Sequence, residues 1–146
     1  MKKILGSLIL CIFSMHSHAI GFGSIAEAEE KLEQVMEYMN KLEIEKGFSA
    51  LKPYWPLPDE EIDSVVYQTK QQLPVIRERF GQPLGHEKAC IQSIADSWKR
   101  ISYLQKFEKH TLLWNVVLYK PENEWVLNGF SFDDSWQKLF SQDCKK

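Results

Sequence analysis

A succession of short segments in which apolar and polar residues alternate, within residues 84–132, constrains this chain more than any other feature. In residues 100–107 the apolar side chains, including Ile101 and Tyr103, come close to the period of two that a half-buried strand requires. Residues 112–119 are apolar on both faces, which is typical of a strand that is central in its sheet or covered on its second side by another element or another chain. The region predicts an antiparallel meander.

The last strand of this meander contains an irregularity. Its apolar residues form two pairs that are out of phase by one position across Asn128 and Gly129; the pairs are Trp125 with Leu127 and Phe130 with Phe132. A β-bulge at Gly129 would place all four side chains on one face of the sheet.

The remaining parts of the meander are less regular. Residues 108–110 and 120–123 are polar and predict the turns on either side of the third strand. Residues 89–98 predict the first strand, although Asp96 interrupts its alternation. After the last strand, residues 135–140 predict a short helix that packs back on the fold.

The region before the meander predicts helices. Ser24 and Glu27 form a capping box, and apolar residues then recur at spacings of three and four towards Gly47, which we expect as the C′ residue that ends this helix. The acidic residues 59–61 begin a second helix, which Pro74 is expected to kink or restart.

Residues 1–19 have the pattern of a secretory signal peptide. Lys2 and Lys3 give a basic start, an apolar segment follows, and a small-x-small pattern ends at Ala19. The apolar run is too short for a permanent membrane span. We therefore expect cleavage near Ala19 and a periplasmic or secreted mature chain, residues 20–146, that forms a single domain.

Charge and cysteine content narrow the possible partners. Without Lys2 and Lys3, 16 of the 18 basic residues remain against 20 acidic ones, and they form no basic cluster, so nucleic acid is not an expected partner. The mature chain keeps Cys90 and Cys144, and an even number in an exported protein favours a disulfide between them. Two free thiols are the alternative, because the spacing has no signature of its own.

Motifs for other chemistries are not found in the mature sequence. It has no Gly-rich phosphate loop, no Cys-x-x-Cys and no His-x-x-x-His pair, so we expect neither a cofactor nor a metal site. Residues 48–57 mix prolines with aromatic residues and predict a packed loop. Within it, Tyr54 and Trp55 could line the mouth of a pocket, or they could fill the open end of the core.

Helices followed by such a meander, ending in the strand at residues 124–130, resemble the nuclear transport factor 2-like, or cystatin-like, superfamily. More narrowly, residues 51–57, 79–81 and 114–121 resemble a group of small exported bacterial proteins with no assigned activity. The resemblance implies an α+β fold in which N-terminal helices pack on a curved antiparallel sheet around a cone-shaped pocket. It also implies a homodimer through the outer face of the sheet.

The resemblance suggests which residues to consider for chemistry. Enzymes of that superfamily resemble one another in having an Asp or His general base inside the cone, with a Tyr or an acid opposite it. The candidates here are Asp96 and His86, for both of which a solvated position is the alternative, whereas His110 is expected at the surface of a turn. Tyr54, Trp55 and Trp98 are the candidates for contact with a ligand.

Two functions remain open. The first is an exported envelope protein that binds a small apolar ligand or a protein partner without catalysis. The second is a small-pocket enzyme of the isomerase or dehydratase kind that uses an Asp or His general base. An open cone with His86 or Asp96 pointing into it would favour the enzyme, whereas a cone filled by Trp55, Trp98 or Trp125 would leave binding to the outer faces.

Overall fold

The computed structural model describes residues 20–141 and Cys144. The helices are α1 (Ile25–Asn40), α2 (Ile44–Ser49) and α3 (Asp59–Phe80), with a 3-10 turn at Lys52–Tyr54. The strands are β1 (Pro83–Ile94), β2 (Trp98–Phe107), β3 (Thr111–Tyr119) and β4 (Val126–Asp133), and a second 3-10 turn follows at Trp136–Ser141. The strands form an antiparallel sheet in the order β1-β2-β3-β4, which confirms the predicted α+β class. The predicted signal peptide lies outside the described residues.

The predicted cap begins α1. The Ser24 hydroxyl accepts a hydrogen bond from the backbone N–H of Glu27 at 3.1 Å. The Glu27 carboxylate accepts in return from the backbone N–H of Gly23 at 2.8 Å, one residue earlier than a standard capping box requires. The apolar stripe that follows, which includes Leu32 and Met39, is buried against the sheet.

The end of α1 differs from the prediction, in which Gly47 was the C′ residue. The helix ends at Asn40, the backbone of Leu42 has a φ of 58°, and Gly47 lies inside α2. An added Cβ at Gly47 would lie 2.6 Å from the Met39 side chain. The glycine therefore allows α2 to pack closely against α1, a tertiary requirement that the local pattern does not reveal.

Pro74 does not restart α3, because the helix is continuous from Asp59 to Phe80, and the kink at this position stays a prediction. Proline removes the N–H that would donate to the carbonyl of Lys70. Both Pro74 and Lys70 are exposed, so water can satisfy that carbonyl. Near the beginning of α3, the ammonium group of Lys52 forms an ion pair with the carboxylate of Asp63 at 2.7 Å, which connects the helix to the preceding 3-10 turn.

The first strand ends earlier than the predicted range of residues 89–98. β1 ends at Ile94, and Ala95, Asp96 and Ser97 form the turn into β2. Ala95 has a φ of 51°, and Asp96 is exposed. The interruption that Asp96 introduces into the sequence pattern marks a turn rather than an irregular strand.

The predicted irregularity of β4 is confirmed. The register shifts between Val117 and Leu118 of β3, which leaves Asn128 as an extra residue between Leu127 and Gly129. As a result, Trp125 and Leu127 share the inner face, which packs against the helices, with Phe130 and Phe132. The backbone of Phe22 pairs with Trp125 at the beginning of this strand.

The C-terminal segment crosses the outer face of the sheet, the face turned away from the helices. β4 and β1 are opposite edges, and the disulfide between Cys144 and Cys90 of β1 connects the chain after β4 back to the far edge. The 3-10 turn contacts β3 on the way. Leu113 and Ser102, whose side chains face outwards, are 2% and 0% exposed. The outer apolar side of β3 is thus buried at Leu113, whereas Val117 and Tyr119 of the same side are half-buried.

Cys144→Ser is expected to lower the free energy of unfolding by about 4 kcal/mol, because the disulfide closes a loop with a sequence separation of 54 residues. Guanidinium unfolding of the oxidised protein measures this difference. The reduced wild-type protein should match the variant, and a reducing agent should not affect the variant further. A variant as stable as the oxidised wild type would show that packing alone holds the segment in place.

Candidate functional site

The space between the helices and the inner face is filled by aromatic side chains. The ring of Phe48 lies 5.2 Å from that of Phe130 and 6.2 Å from that of Trp114. Trp55 closes this cluster from the side, 5.7 Å from Phe130, and Trp125 is buried nearby. Two of the three tryptophans that were considered as fillers of the cone therefore belong to the core.

His86 points inwards from β1, but both of its ring nitrogens are engaged. Nε2 donates to the carboxylate of Glu33 at 2.7 Å, and Nδ1 accepts from the side-chain amide of Asn40. The histidine side chain is 13% exposed. In this arrangement neither nitrogen is available to take a proton from a substrate, so the geometry is that of a clasp between α1 and β1.

A second ion pair extends the clasp along the same flank of α1. Lys88, the next inward-facing residue of β1, contacts Glu29 at 2.6 Å. Glu29 and Glu33 are four residues apart and share one side of the helix, opposite the two basic side chains of the strand. Neither Glu33 nor Asn40 was considered from the sequence as a partner of His86. Only the pairing of α1 with β1, which no local signal predicts, brings them to His86.

Tyr103 of β2 lies beside this clasp. Its ring is 6.2 Å from that of His86, and its buried hydroxyl has no hydrogen-bond partner among the described residues. Burial, together with the negative charges of Glu33 and Glu29, raises the pKa of Tyr103 well above its ordinary value. The phenol therefore stays neutral and can only act as a hydrogen-bond donor or acceptor.

The other predicted residues are dispersed. Asp96 is exposed in the β1–β2 turn and does not face the interior. Tyr54 stacks on Phe22 with 4.0 Å between ring centroids, and it serves to pack the N-terminal segment. His110 is half-buried and stacks on Phe80 at 4.6 Å, so the prediction of a surface position was wrong. Its ring covers the end of α3, a contact between residues far apart in sequence.

Trp98 lies on the outer face, in the part that the C-terminal segment leaves uncovered. This part consists of two rows of outward-facing residues that run across the sheet, and each row contains one residue from β1, β2 and β3 and one from β4. We call this part the open half. The first row is Gln92, Arg100, Val117 and Gly129, and the second is Ile94, Trp98, Tyr119 and Val126. Ile94 is 76% exposed. The rings of Trp98 and Tyr119 stack with centroids 4.6 Å apart.

A cleft of about 280 Å³ opens in this region, and it is lined by Gln92, Ser93, Ile94, Trp98, Lys99, Arg100 and Val117. Its lining is mainly apolar. Beside Val117, a Cβ added at Gly129 would meet no atom within 4 Å, so the surface next to the cleft is also open. Small-ligand sites combine an apolar lining with few polar groups, although most are larger than this cleft.

The polar side of the cleft is formed by Arg100 with Gln92 and by Lys99, which donates to the Ser93 hydroxyl at 2.7 Å. The guanidinium donates through Nε to the side-chain carbonyl of Gln92 at 2.8 Å, and Nη2 contacts the same oxygen. Of the residues considered from sequence, only Trp98 lies in this cleft. Arg100 was not considered, and its neighbours Lys99 and Ile101 give no signal that could have identified it.

Within residues 20–141 and Cys144, no three His, Cys, Asp or Glu side chains are grouped in a way that could hold a metal ion. None of the helices in that part of the chain combines the length and hydropathy that crossing a membrane requires. No family model, no curated protein and no solved structure matches the chain. The site must therefore be interpreted from its own geometry.

Tyr103→Phe is expected to change the free energy of unfolding by less than about 1 kcal/mol at pH 7, because the hydroxyl that it removes has no partner. The raised pKa means that the folded protein holds this proton more tightly than the unfolded chain does. The stability of the wild type should therefore fall as the pH rises above about 10, the ordinary pKa of tyrosine, and the variant should lack this part of the loss.

Urea unfolding at pH 7 and pH 10.5 measures both effects. Tyr67→Phe is the matched control, since Tyr67 is 67% exposed. A loss of several kcal/mol for Tyr103→Phe at pH 7 would contradict the assignment of an unpartnered hydroxyl.

Proposed function

We propose that this chain is an exported protein that binds a small, largely apolar ligand without changing it chemically, in the cleft on the open half of its sheet. The observation that carries the proposal is the concave surface formed by Ile94, Trp98 and Val117, whose side chains face solvent while the inner face is packed. Exposed apolar patches of this kind commonly mark binding sites.

Export is part of the same proposal. The disulfide between Cys90 and Cys144 is compatible with a periplasmic or secreted protein. We infer that the signal peptide is removed near Ala19 and that the mature chain begins close to Ile20, whose backbone N–H donates to the carbonyl of Pro53 at 2.8 Å. Membership of the nuclear transport factor 2-like superfamily also remains a proposal, supported by the order of helices and strands.

An enzyme of the isomerase or dehydratase kind is the second candidate, and one observation favours it. His86 and Tyr103 lie side by side on the inner face, and the neutral phenol has a donor that no described residue uses. The pair would need the Asn40 contact to open before His86 could act as a base. Because these contacts would have to break first, we prefer the binding function to the enzymatic one.

Titration with N-phenyl-1-naphthylamine, a neutral apolar fluorophore, tests the location of the site. We expect saturable binding, and we expect Trp98→Ala to weaken it at least about tenfold because it removes a large part of the aromatic wall. His86→Gln is the matched control for the interior and should leave the binding unchanged. Circular dichroism of each variant verifies that it is folded.

Backbone amide shifts of the wild-type protein, recorded with the same fluorophore, provide a readout that needs no variant. Changes centred on Ile94, Trp98 and Val117 support the proposal. Changes centred on His86 and Tyr103, or binding lost in His86→Gln alone, would place the ligand inside the fold and favour the enzyme. The absence of any binding would reject the cleft as an apolar site.

A further inference from the structure

We propose that the ligand of this cleft carries a carboxylate, which Arg100 binds, next to an apolar body that lies against Trp98. This inference rests on the proposed function and specifies the chemical class of the ligand. Its first support is the position of Arg100, in the middle of the sheet and next to the largely apolar row that contains Ile94, Trp98 and Tyr119.

The charge of Arg100 has no counter-ion in the described part of the chain. Among residues 20–141 and Cys144, no carboxylate forms an ion pair with its guanidinium, whose hydrogen bonds there go to the neutral amide oxygen of Gln92. Arg100 is half-buried, and a charge that is withdrawn from water usually has a partner of opposite sign. Two of its donors share a single oxygen, so other N–H groups of the guanidinium remain for a ligand.

Two basic side chains near the groove between α2 and α3 are neutralised. In the groove between α2 and α3, with a volume of about 530 Å³, Lys70 pairs with Glu45 at 2.6 Å. Lys52 pairs with Asp63 at 2.7 Å beside the same helix. The α2–α3 groove is larger than the outer cleft. Its cation Lys70 is already paired with Glu45, so the groove is a weaker site for an anionic ligand.

The chemistry of Arg100 selects the kind of anion. A guanidinium presents parallel N–H donors that match the two oxygens of a carboxylate, and such charge-assisted contacts are stronger than neutral hydrogen bonds. The cleft volume of about 280 Å³ is small and its lining mainly apolar. A compact amphiphile with one carboxylate and a short aliphatic or ring-shaped body fits both features.

A second copy of the chain fits less well. A twofold interface would place the open half against itself. The two rows of the open half contain one cation, Arg100, and no Asp or Glu, so the two arginines would face each other without a carboxylate from either row. Charge complementarity therefore favours an anionic ligand over the homodimer that the resemblance implied.

Competition between decanoate and decanol tests the inference. Both compounds displace N-phenyl-1-naphthylamine from the cleft if they bind there, and they differ only in the carboxylate. For the wild type we expect decanoate to compete well. For Arg100→Gln we expect the ratio of the two apparent Kd values to shift by about ten- to a hundredfold in favour of decanol, the size expected when a charged hydrogen bond is lost.

Two further variants isolate the effect. Arg100→Lys should retain part of the preference for decanoate because it keeps the charge. Arg77→Gln removes an exposed arginine of α3 and matches the change in net charge. It should leave the ratio unchanged, and a shift equal to that of Arg100→Gln would reveal a long-range charge effect and overturn the inference.

The remaining outcomes are equally decisive. If the fluorophore binds but the ratio is the same in wild type and Arg100→Gln, the carboxylate is rejected while the proposed function stands. If the fluorophore does not bind, both fail. A dimer on size-exclusion chromatography that excludes the fluorophore would make a second copy the occupant.

Discussion

The covalent link between Cys90 and Cys144 determines how the outer face of the sheet is divided. β3 is apolar on both sides, so it needs cover on both. The helices cover the inner side, and the segment that ends at Cys144 covers the outer side over the rows around Leu113. Burial of one such leucine is worth about 2 kcal/mol. Because the link meets β1 at Cys90, the rows beyond it, towards the β1–β2 turn, stay open.

The inner face obeys a different constraint, which is the pairing of α1 with β1. The apolar stripe of the helix fills the core, and its polar flank meets the inward-facing side chains of the edge strand. Glu33 and Asn40 form hydrogen bonds with the two ring nitrogens of His86, and Glu29 forms an ion pair with Lys88. A histidine fixed on both sides orients two elements but has no lone pair to offer a substrate. The same contacts that complete the fold thus remove its best catalytic candidate.

Sequence patterns predicted the features that depend on neighbouring residues. The cap at Ser24, the two-sided character of β3 and a bulge in β4 all follow from periodicity or from short-range hydrogen bonding, and all three are found. The bulge was predicted at Gly129 and lies one residue earlier, at Asn128. The disulfide was predictable as well, because Cys90 and Cys144 are the two cysteines of the sequence after residue 19.

The errors arose where distant residues decide the outcome. Gly47 is required by the approach of Met39, and His110 is half-buried because it stacks on Phe80. Neither contact leaves a trace in the local pattern. The candidate site shows the same limit, since Trp98 was named but the row that places it beside Arg100 depends on strand register.

The position of Arg100 is the remaining argument for a function of the open half. If this surface served only to complete the sheet, an apolar residue between Gln92 and Val117 would do so without the cost of withdrawing a charge from water. A positive charge there becomes favourable once an anion supplies the missing partner, and the apolar surroundings then strengthen the contact by excluding water. The apolar surroundings of Arg100 raise the free-energy cost of its charge in the empty protein. In the occupied protein they would favour ligands that carry an anion over neutral ones.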